Sequence, residues 1–467
     1  MAHSNEGTGG DLSPGAIRVG AIAFLMAVWW VTEAIPIPAT SLLPLVLFPL
    51  LGISPSKATA VAYASPFIIL LMGGFFVALT LERWNLHKRI ALNLIIRIGT
   101  RPDRLILGFM VAGALLSMWI SNTATTLMML PIAVAVLQRV DETGADPDKV
   151  RKIGVGLMLG IAYACNVGGI GTPIGTPPNL IFIGQFETAF PDRPPIGFID
   201  WMIMTLPIVV IMIAIIWFVL TRWINRVDRD ISIGDESSLK NELNDMGGLS
   251  SAERRVAVVF VFTALAWIFR RPIEIGNMAI PGWSNLLELQ KVVDDGTVAI
   301  AAAIVLFLLP AGKGNKGVRL LDWETAVRIP WGLLLLFGGG LALADGFKVT
   351  GFSEWVGQEL AGLATLSPWV LIGVVCLAVT FLTEITSNTA TTTILMPVFA
   401  AVCVKQGVDP YHLMLPAALS ASCAFMLPVA TAPNAIVFGS GRVKMADMVR
   451  CGIVINLIGV VVITLLI

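Results

Sequence analysis

The chain has 467 residues, of which 56% are hydrophobic and 13% charged, and a mean hydropathy of +0.83. That much apolar sequence has to sit in lipid, which excludes a soluble globular domain and predicts a polytopic membrane protein. Basic and acidic residues balance at 31 each, and no basic run stands apart from the membrane pattern to suggest a nucleic-acid or acidic partner.

The polar stretch 1–15 lacks the basic flank of a signal peptide, so the first apolar segment is expected to be retained. A membrane helix needs about 20 apolar residues, fewer where the bilayer thins. Candidate spans are 17–31, 39–51, 66–81, 153–186 (broken), 201–220, 256–269, 297–309, 331–344, 413–438 (broken) and 448–467. Between 81 and 105 the sequence 86–98 mixes His87, Lys88, Arg89 and Arg97 with apolar residues, which suits an amphipathic interfacial helix, and 352–363 occupies the matching place in the second half. Cys165, Cys376, Cys403, Cys423 and Cys451 lie singly in apolar segments and read as packing residues, and the three histidines are too scattered for a metal site.

Two further apolar stretches, 105–137 and 369–404, carry one polar string twice: Ser121-Asn122-Thr123-Ala124-Thr125-Thr126 and Ser387-Asn388-Thr389-Ala390-Thr391-Thr392. Unmatched hydroxyls and amides are costly in hydrocarbon, so a doubled cluster there needs something to bind. Each flanking arm is only about 15 to 18 residues long, roughly 22 to 27 Å as helix, and two re-entrant hairpins with polar tips at mid-membrane are expected.

Short cytoplasmic loops collect Lys and Arg. With re-entrant hairpins and both termini outside, segments 82–104, 139–152, 222–255, 312–330 and 441–450 are cytoplasmic and hold 23 of the 31 basic residues. The first hairpin then opens from the cytoplasm and the second from outside. Met72-Gly-Gly-Phe75 matches Phe337-Gly-Gly-Gly340, and Thr176-Pro-Pro-Asn179 matches Thr431-Ala-Pro-Asn434, so the two halves read as inverted repeats. Residues 1–224 form the first repeat, with hairpin 105–138 and broken helix 153–186. A hydrophilic cytoplasmic linker covers 225–251, and 252–467 form the second repeat, with hairpin 368–404 and broken helix 411–439. Such a fold, all-α with interrupted helices, is the architecture of a secondary transporter with its site at the midplane.

Ser, Asn and Thr before an apolar helical run are good N-cap residues, and helix N-termini receive carboxylates. Glycines and prolines at 168–178 and 428–433 prevent regular helix and expose carbonyls, the ligands a hard cation prefers. Glu384, in an arm of the second hairpin, is a membrane carboxylate with Met118 at the matching place. A cation-tuning role and a hydrogen-bonded structural one are both open for it. Neither a nucleophile–base set nor a nucleotide-binding loop is visible, so an enzyme or a primary pump is not expected.

The strings SNTATT, GTPPN and ATAPN, with Trp-Trp-Val-Thr-Glu-Ala-Ile-Pro-Ile-Pro at 29–38, resemble the divalent anion:sodium symporter family over nearly the whole chain. The resemblance implies a bacterial cytoplasmic-membrane carrier, a homodimer in which a mobile domain moves the site by an elevator motion. It implies one Na⁺ near Ser117, Ser121, Asn122 and the Gly175 carbonyl, and a second near Thr383, Thr386, Asn388 and the Ala430 carbonyl. The dicarboxylate would lie between the tips against Asn122, Thr123, Thr176, Asn388, Thr389 and Thr431. Some family members carry an additional N-terminal helix without an apparent counterpart here. Succinate-type C4-dicarboxylates are the expected cargo, with dicarboxylate exchange, sulfate and tricarboxylates as alternatives.

Overall fold

The computed structural model describes residues 12–99, 101–142, 146–229, 237–275, 278–312, 314–360 and 366–467. Part of the polar N-terminal stretch, the middle of the expected linker, Lys313 and the end of the 352–363 segment lie outside the described residues. The described chain is helical, apart from a small antiparallel pair of strands, Ile273–Ile275 with Met278–Ile280, in a loop where the sequence predicts no element.

Among the described residues eight helices are long and apolar enough to cross a membrane. The expected span 39–51 is split into Ile37–Thr40 and Leu43–Leu50, because prolines at 36, 38 and 44 remove helical donors. The expected span 256–269 begins earlier, at Ser251, where Ser250 and Glu253 form a capping box. Glu253, Arg254 and Arg255 fill its first turn, which makes this helix more polar than the sequence window suggests.

Each doubled motif lies at the junction of two helices. The first arms, Pro102–Ser117 and Pro368–Thr383, are 16 residues each, about 24 Å, and both start with proline at the first turn. The second arms, Asn122–Glu142 and Asn388–Gln406, are 21 and 19 residues. Each is capped as the sequence predicts. Ser121 Oγ accepts from the Ala124 N–H at 3.2 Å, and Ser387 Oγ from the Ala390 N–H at 3.5 Å.

Both broken helices unwind where glycine and proline require it. The first runs Pro147–Gly169, opens over 170–176 and resumes as Pro177–Ala189. The second runs Pro410–Ala421, passes through a single 3₁₀ turn Pro428–Ala430 and resumes as Ala432–Gly439. Thr176 and Thr431 precede the resumed helices with nearly the same backbone, φ −146° ψ 144° and φ −143° ψ 151°. Three residues on, an asparagine in each turns back to hold the open strand. Asn179 Nδ2 donates to the carbonyls ten and seven residues earlier, Gly169 at 3.0 Å and Thr172 at 2.7 Å. Asn434 Nδ2 does the same to Ala424 at 3.1 Å and Leu427 at 3.0 Å. Unwound backbone at this depth survives because side chains satisfy it.

The two halves pack crosswise. The second arm of the first hairpin lies against Ala432–Gly439, and the second arm of the second hairpin lies against Pro177–Ala189. Around this group Pro66–Arg83 packs on Asp295–Leu308, where Gly73 allows the Ala299 backbone to approach, and Trp331–Thr350 packs on Pro14–Thr32. A separate apolar cluster of Val19, Met26, Trp30, Phe48, Leu336 and Leu343 joins the N-terminal helices to Trp331–Thr350. The amphipathic helix Leu86–Ile98 buries Ala91, Leu92 and Ile95 against the first hairpin arm and anchors its polar face through Arg89–Glu253 and Lys88–Glu242.

Candidate functional site

Both tips and both breaks line one cavity of about 620 Å³. Of the residues singled out from sequence, Ser121, Asn122, Thr123, Gly175, Thr176, Asn388, Thr389, Ala430 and Thr431 are on its wall, together with Ser387. Ser117, Thr383 and Thr386 stand behind it. Thr383 Oγ1 donates to the Thr380 carbonyl at 3.1 Å, and Thr386 Oγ1 donates to the Leu382 carbonyl at 2.7 Å and lies 2.6 Å from Thr391 Oγ1.

Oxygen atoms converge behind the first tip. Ser117 Oγ donates to the Cys165 carbonyl at 2.7 Å and also touches Asn122 Oδ1. The same Asn122 oxygen and the Gly175 carbonyl both point at Gly169. A methyl group at 169 would sit 2.9 Å from Asn122 Oδ1 and 3.0 Å from Gly175 O. Glycine there leaves space that a side chain would fill, bordered by uncharged oxygens of the kind a hard cation takes. At the second tip, Asn388 Oδ1 is buried without a hydrogen-bond partner. A buried acceptor left unpaired costs about 1–3 kcal/mol, so this atom also fits a cation.

The tips present helix N-termini as expected. Asn122 and Asn388 are the first residues of their helices, Thr123 and Thr389 the second, and Pro177 and Ala432 begin the two resumed helices facing them. Four helix N-termini therefore surround the cavity, each with the positive end of its dipole inward, although Pro177 and Pro178 carry no N–H and the Asn179 and Asn434 N–H groups are bonded to the Thr176 carbonyl and Thr431 Oγ1.

Three features of the site go beyond the sequence reading. Asn166 lies in the apolar run Ala162–Val167 with no motif around it. In the fold its Nδ2 donates to Thr431 Oγ1 at 3.0 Å and so joins the first broken helix to the second. Glu384 is resolved as a backbone anchor. Its Oε1 accepts from the N–H groups of Phe425 at 2.7 Å and Met426 at 2.9 Å and from Asn456 Nδ2 at 2.7 Å, while Oε2 accepts from Leu427 N–H at 2.9 Å. The third is the mouth of the cavity. It extends past Leu71, Phe75 and Leu79 to Glu82 and Arg328, both in segments that the basic-residue bias assigns to the cytoplasm. Near the opposite end of the helices Arg270 pairs with Asp295 in a buried bridge, and Arg271 donates to the Pro195 carbonyl at 2.5 Å.

Comparison with known proteins supplies a context for this geometry. The pattern described as the sodium:sulfate symporter transmembrane region matches residues 9–467. The sodium-dependent dicarboxylate transporter SdcS of Staphylococcus saprophyticus is 41% identical over 460 residues, covering 98% of this chain and 86% of its own. Its counterpart in Staphylococcus aureus strain NCTC 8325 is 42% identical over the same extent. Among solved structures, the Alcanivorax borkumensis YdaH transporter superposes with a TM-score of 0.58 at 13% identity, covering 97% of each chain. Neisseria gonorrhoeae MtrF gives 0.58 at 12% identity, covering 98% of this chain and 95% of its own. At such low identity these two support the fold alone, a multi-helix transporter fold.

Proposed function

The chain belongs to the sodium:sulfate symporter family, and from that premise we propose that it is a secondary active transporter coupling Na⁺ to the movement of C4-dicarboxylates such as succinate, malate and fumarate across the bacterial cytoplasmic membrane. It is a transport protein and not an enzyme, as its named relatives are. The observation that carries the reading is the single cavity into which both tips and both breaks open.

Substrate binding follows from the N-termini around that cavity. One carboxylate of the dianion engages the first tip at Asn122 and Thr123 and the facing Thr176; the other engages Asn388, Thr389 and Thr431. The tips carry no Lys or Arg, so the two negative charges are balanced by helix N-termini and by Na⁺ bound alongside. One Na⁺ takes the oxygens of Ser117, Ser121, Asn122 and Gly175. The second takes Asn388 and the Ala430 carbonyl, with Thr383 and Thr386 shaping the turn behind them. Because the cation and carboxylate sites share Asn122 and Asn388, filling one prepares the other, which is a coupling free energy in the ordinary sense.

The transport step is an elevator motion. The two hairpins, re-entrant from opposite faces, and the two broken helices move together against the frame formed by Pro66–Arg83, Asp295–Leu308 and the N-terminal helices. On the topology expected from the basic-residue bias, with the termini outside, the reach of the cavity to Glu82 and Arg328 supports a cytoplasm-facing state. A homodimer joined through the frame fits a fixed support around a moving part. On this reading residues 1–224 and 252–467 are inverted repeats joined by the cytoplasmic linker 225–251.

Uptake of labelled succinate into proteoliposomes tests the function. An inward Na⁺ gradient should drive accumulation, and replacing Na⁺ by choline at fixed pH should abolish it. Uptake that ignores Na⁺ but requires internal dicarboxylate would identify an exchanger, and competition by sulfate or citrate in place of succinate would reassign the cargo.

A further inference from the structure

Among the described residues the cavity between the tips is lined by one cationic and one anionic side chain, Arg328 and Glu82, and neither comes from a tip or a break. Arg328 lies just before Pro330, the cap of the helix Trp331–Thr350. Its loop is pinned to the frame. Arg83 pairs with Asp322, the Trp84 indole N–H donates to the Leu320 carbonyl at 2.8 Å, and Asp322 accepts from the Thr325 N–H at 2.9 Å. The neighbouring arginine Arg83 is thus committed to a carboxylate, whereas the exposed Arg328 guanidinium has no ion pair or hydrogen bond among the described residues. Glu82 borders the same cavity without bridging to it.

We propose that Arg328 is a substrate-guiding residue at the cytoplasmic mouth, where it engages a carboxylate of the dicarboxylate passing between the tips and the cytoplasm and sets the affinity for substrate arriving from inside. The proposal rests on the dicarboxylate-transport reading above. A dianion leaving the tips gives up the helix N-termini and its bound cations together, in a cavity with no other formal positive charge on its described wall. A planar guanidinium offers two parallel donors to a carboxylate at that point, which a hydroxyl or amide does not. Because Arg328 is fixed to the frame and the tips are not, its contribution belongs to the cytoplasm-facing state.

The test compares Arg328→Gln and Arg328→Lys with the wild type in proteoliposomes of defined orientation. The KM of internal succinate driving counterflow is measured beside the KM of external succinate under a Na⁺ gradient. Loss of a charge-assisted bond raises the internal KM about tenfold in Arg328→Gln and less in Arg328→Lys, so the ratio of internal to external KM rises. Arg328→Cys provides a control for folding, since the native cysteines are all buried. A cationic thiol reagent should restore the internal KM and a neutral one of similar size should not. A ratio equal to that of the wild type, or restoration by both reagents, overturns the role of Arg328 alone. A wild type that does not transport succinate overturns the transport reading and this proposal with it.

Discussion

Glu384 Oε1 accepts a hydrogen bond from the Phe425 N–H at 2.7 Å, and the same carboxylate goes on to hold the next two backbone N–H groups of the unwound strand. Among the described residues no equivalent carboxylate serves the first break. There Met118 occupies the matching position and offers its backbone carbonyl to the Thr172 hydroxyl at 2.5 Å. The two breaks are thus alike in shape and differ in what secures them. Glu384→Ala takes the partner from the Met426 and Leu427 N–H groups and from Asn456 Nδ2, at about 1–3 kcal/mol each, while the Phe425 N–H keeps Asn456 Oδ1 at 3.2 Å, and is expected to lower the detergent melting temperature sharply. Glu384→Gln keeps one acceptor oxygen and should fall between. A melt of the alanine variant indistinguishable from wild type would show that the strand does not depend on this carboxylate.

Asn122 and Asn388 each begin a helix and each offer a side-chain oxygen toward a candidate cation site. Asn122→Ala or Asn388→Ala should therefore raise the apparent KM for Na⁺ and for succinate together, each about tenfold. Na⁺ activation curves at several succinate concentrations read both constants. A variant with only one of the two altered would separate functions that the shared asparagines are taken to join.

Two glycine substitutions distinguish site from frame. Gly169→Ala places a methyl between Asn122 Oδ1 and the Gly175 carbonyl, and is expected to weaken Na⁺ activation tenfold or more. Gly73→Ala drives a methyl to 2.5 Å from Ala299 Cβ in the frame. It should cost about 1–3 kcal/mol of stability while the protein that folds keeps its Na⁺ affinity. The comparison needs melting curves and Na⁺ titrations on both variants; the same Na⁺ affinity in both would refute the assignment of Gly169 to the site.

Asn166→Ala removes the donor that positions the Thr431 hydroxyl at 3.0 Å. A net hydrogen bond of about 1 kcal/mol corresponds to roughly a fivefold rise in succinate KM. Uptake kinetics at saturating Na⁺ measure it, with Asn179→Ala as a comparison that should lower stability as well, since among the described residues Asn179 Nδ2 bonds to backbone of its own break.

The parts of the site legible in sequence are those that repeat. Ser-Asn-Thr before an apolar run announces a helix start whatever its surroundings, and glycine with proline announces a break, so nine of the twelve chosen residues are on the cavity wall. Ser117, Thr383 and Thr386 stand out only through likeness to the family, and the two threonines direct their hydroxyls to carbonyls of their own turn, an arrangement that composition does not foretell. Asn166 was hidden because its partner is far along the chain and its neighbours are apolar. Arg328 is one of many basic loop residues in the sequence, and nothing local distinguishes an arginine facing a cavity from one facing water. Helix ends moved by a few residues where caps and prolines, not hydropathy, set them. The strands at 273–280 carry too short a pattern to stand out.

The Asn166–Thr431 contact also bears on how the protein is made. Its two ends are 265 residues apart, and the first hairpin waits equally for Ala432–Gly439 to lie against it. At about 5–20 residues per second, roughly 13 to 53 s pass between the synthesis of the asparagine and that of its threonine. Throughout that interval the polar groups of the first tip have no finished counterpart. Assembly of the proposed site is therefore a late event, and a chain that stops before residue 431 lacks one of its walls.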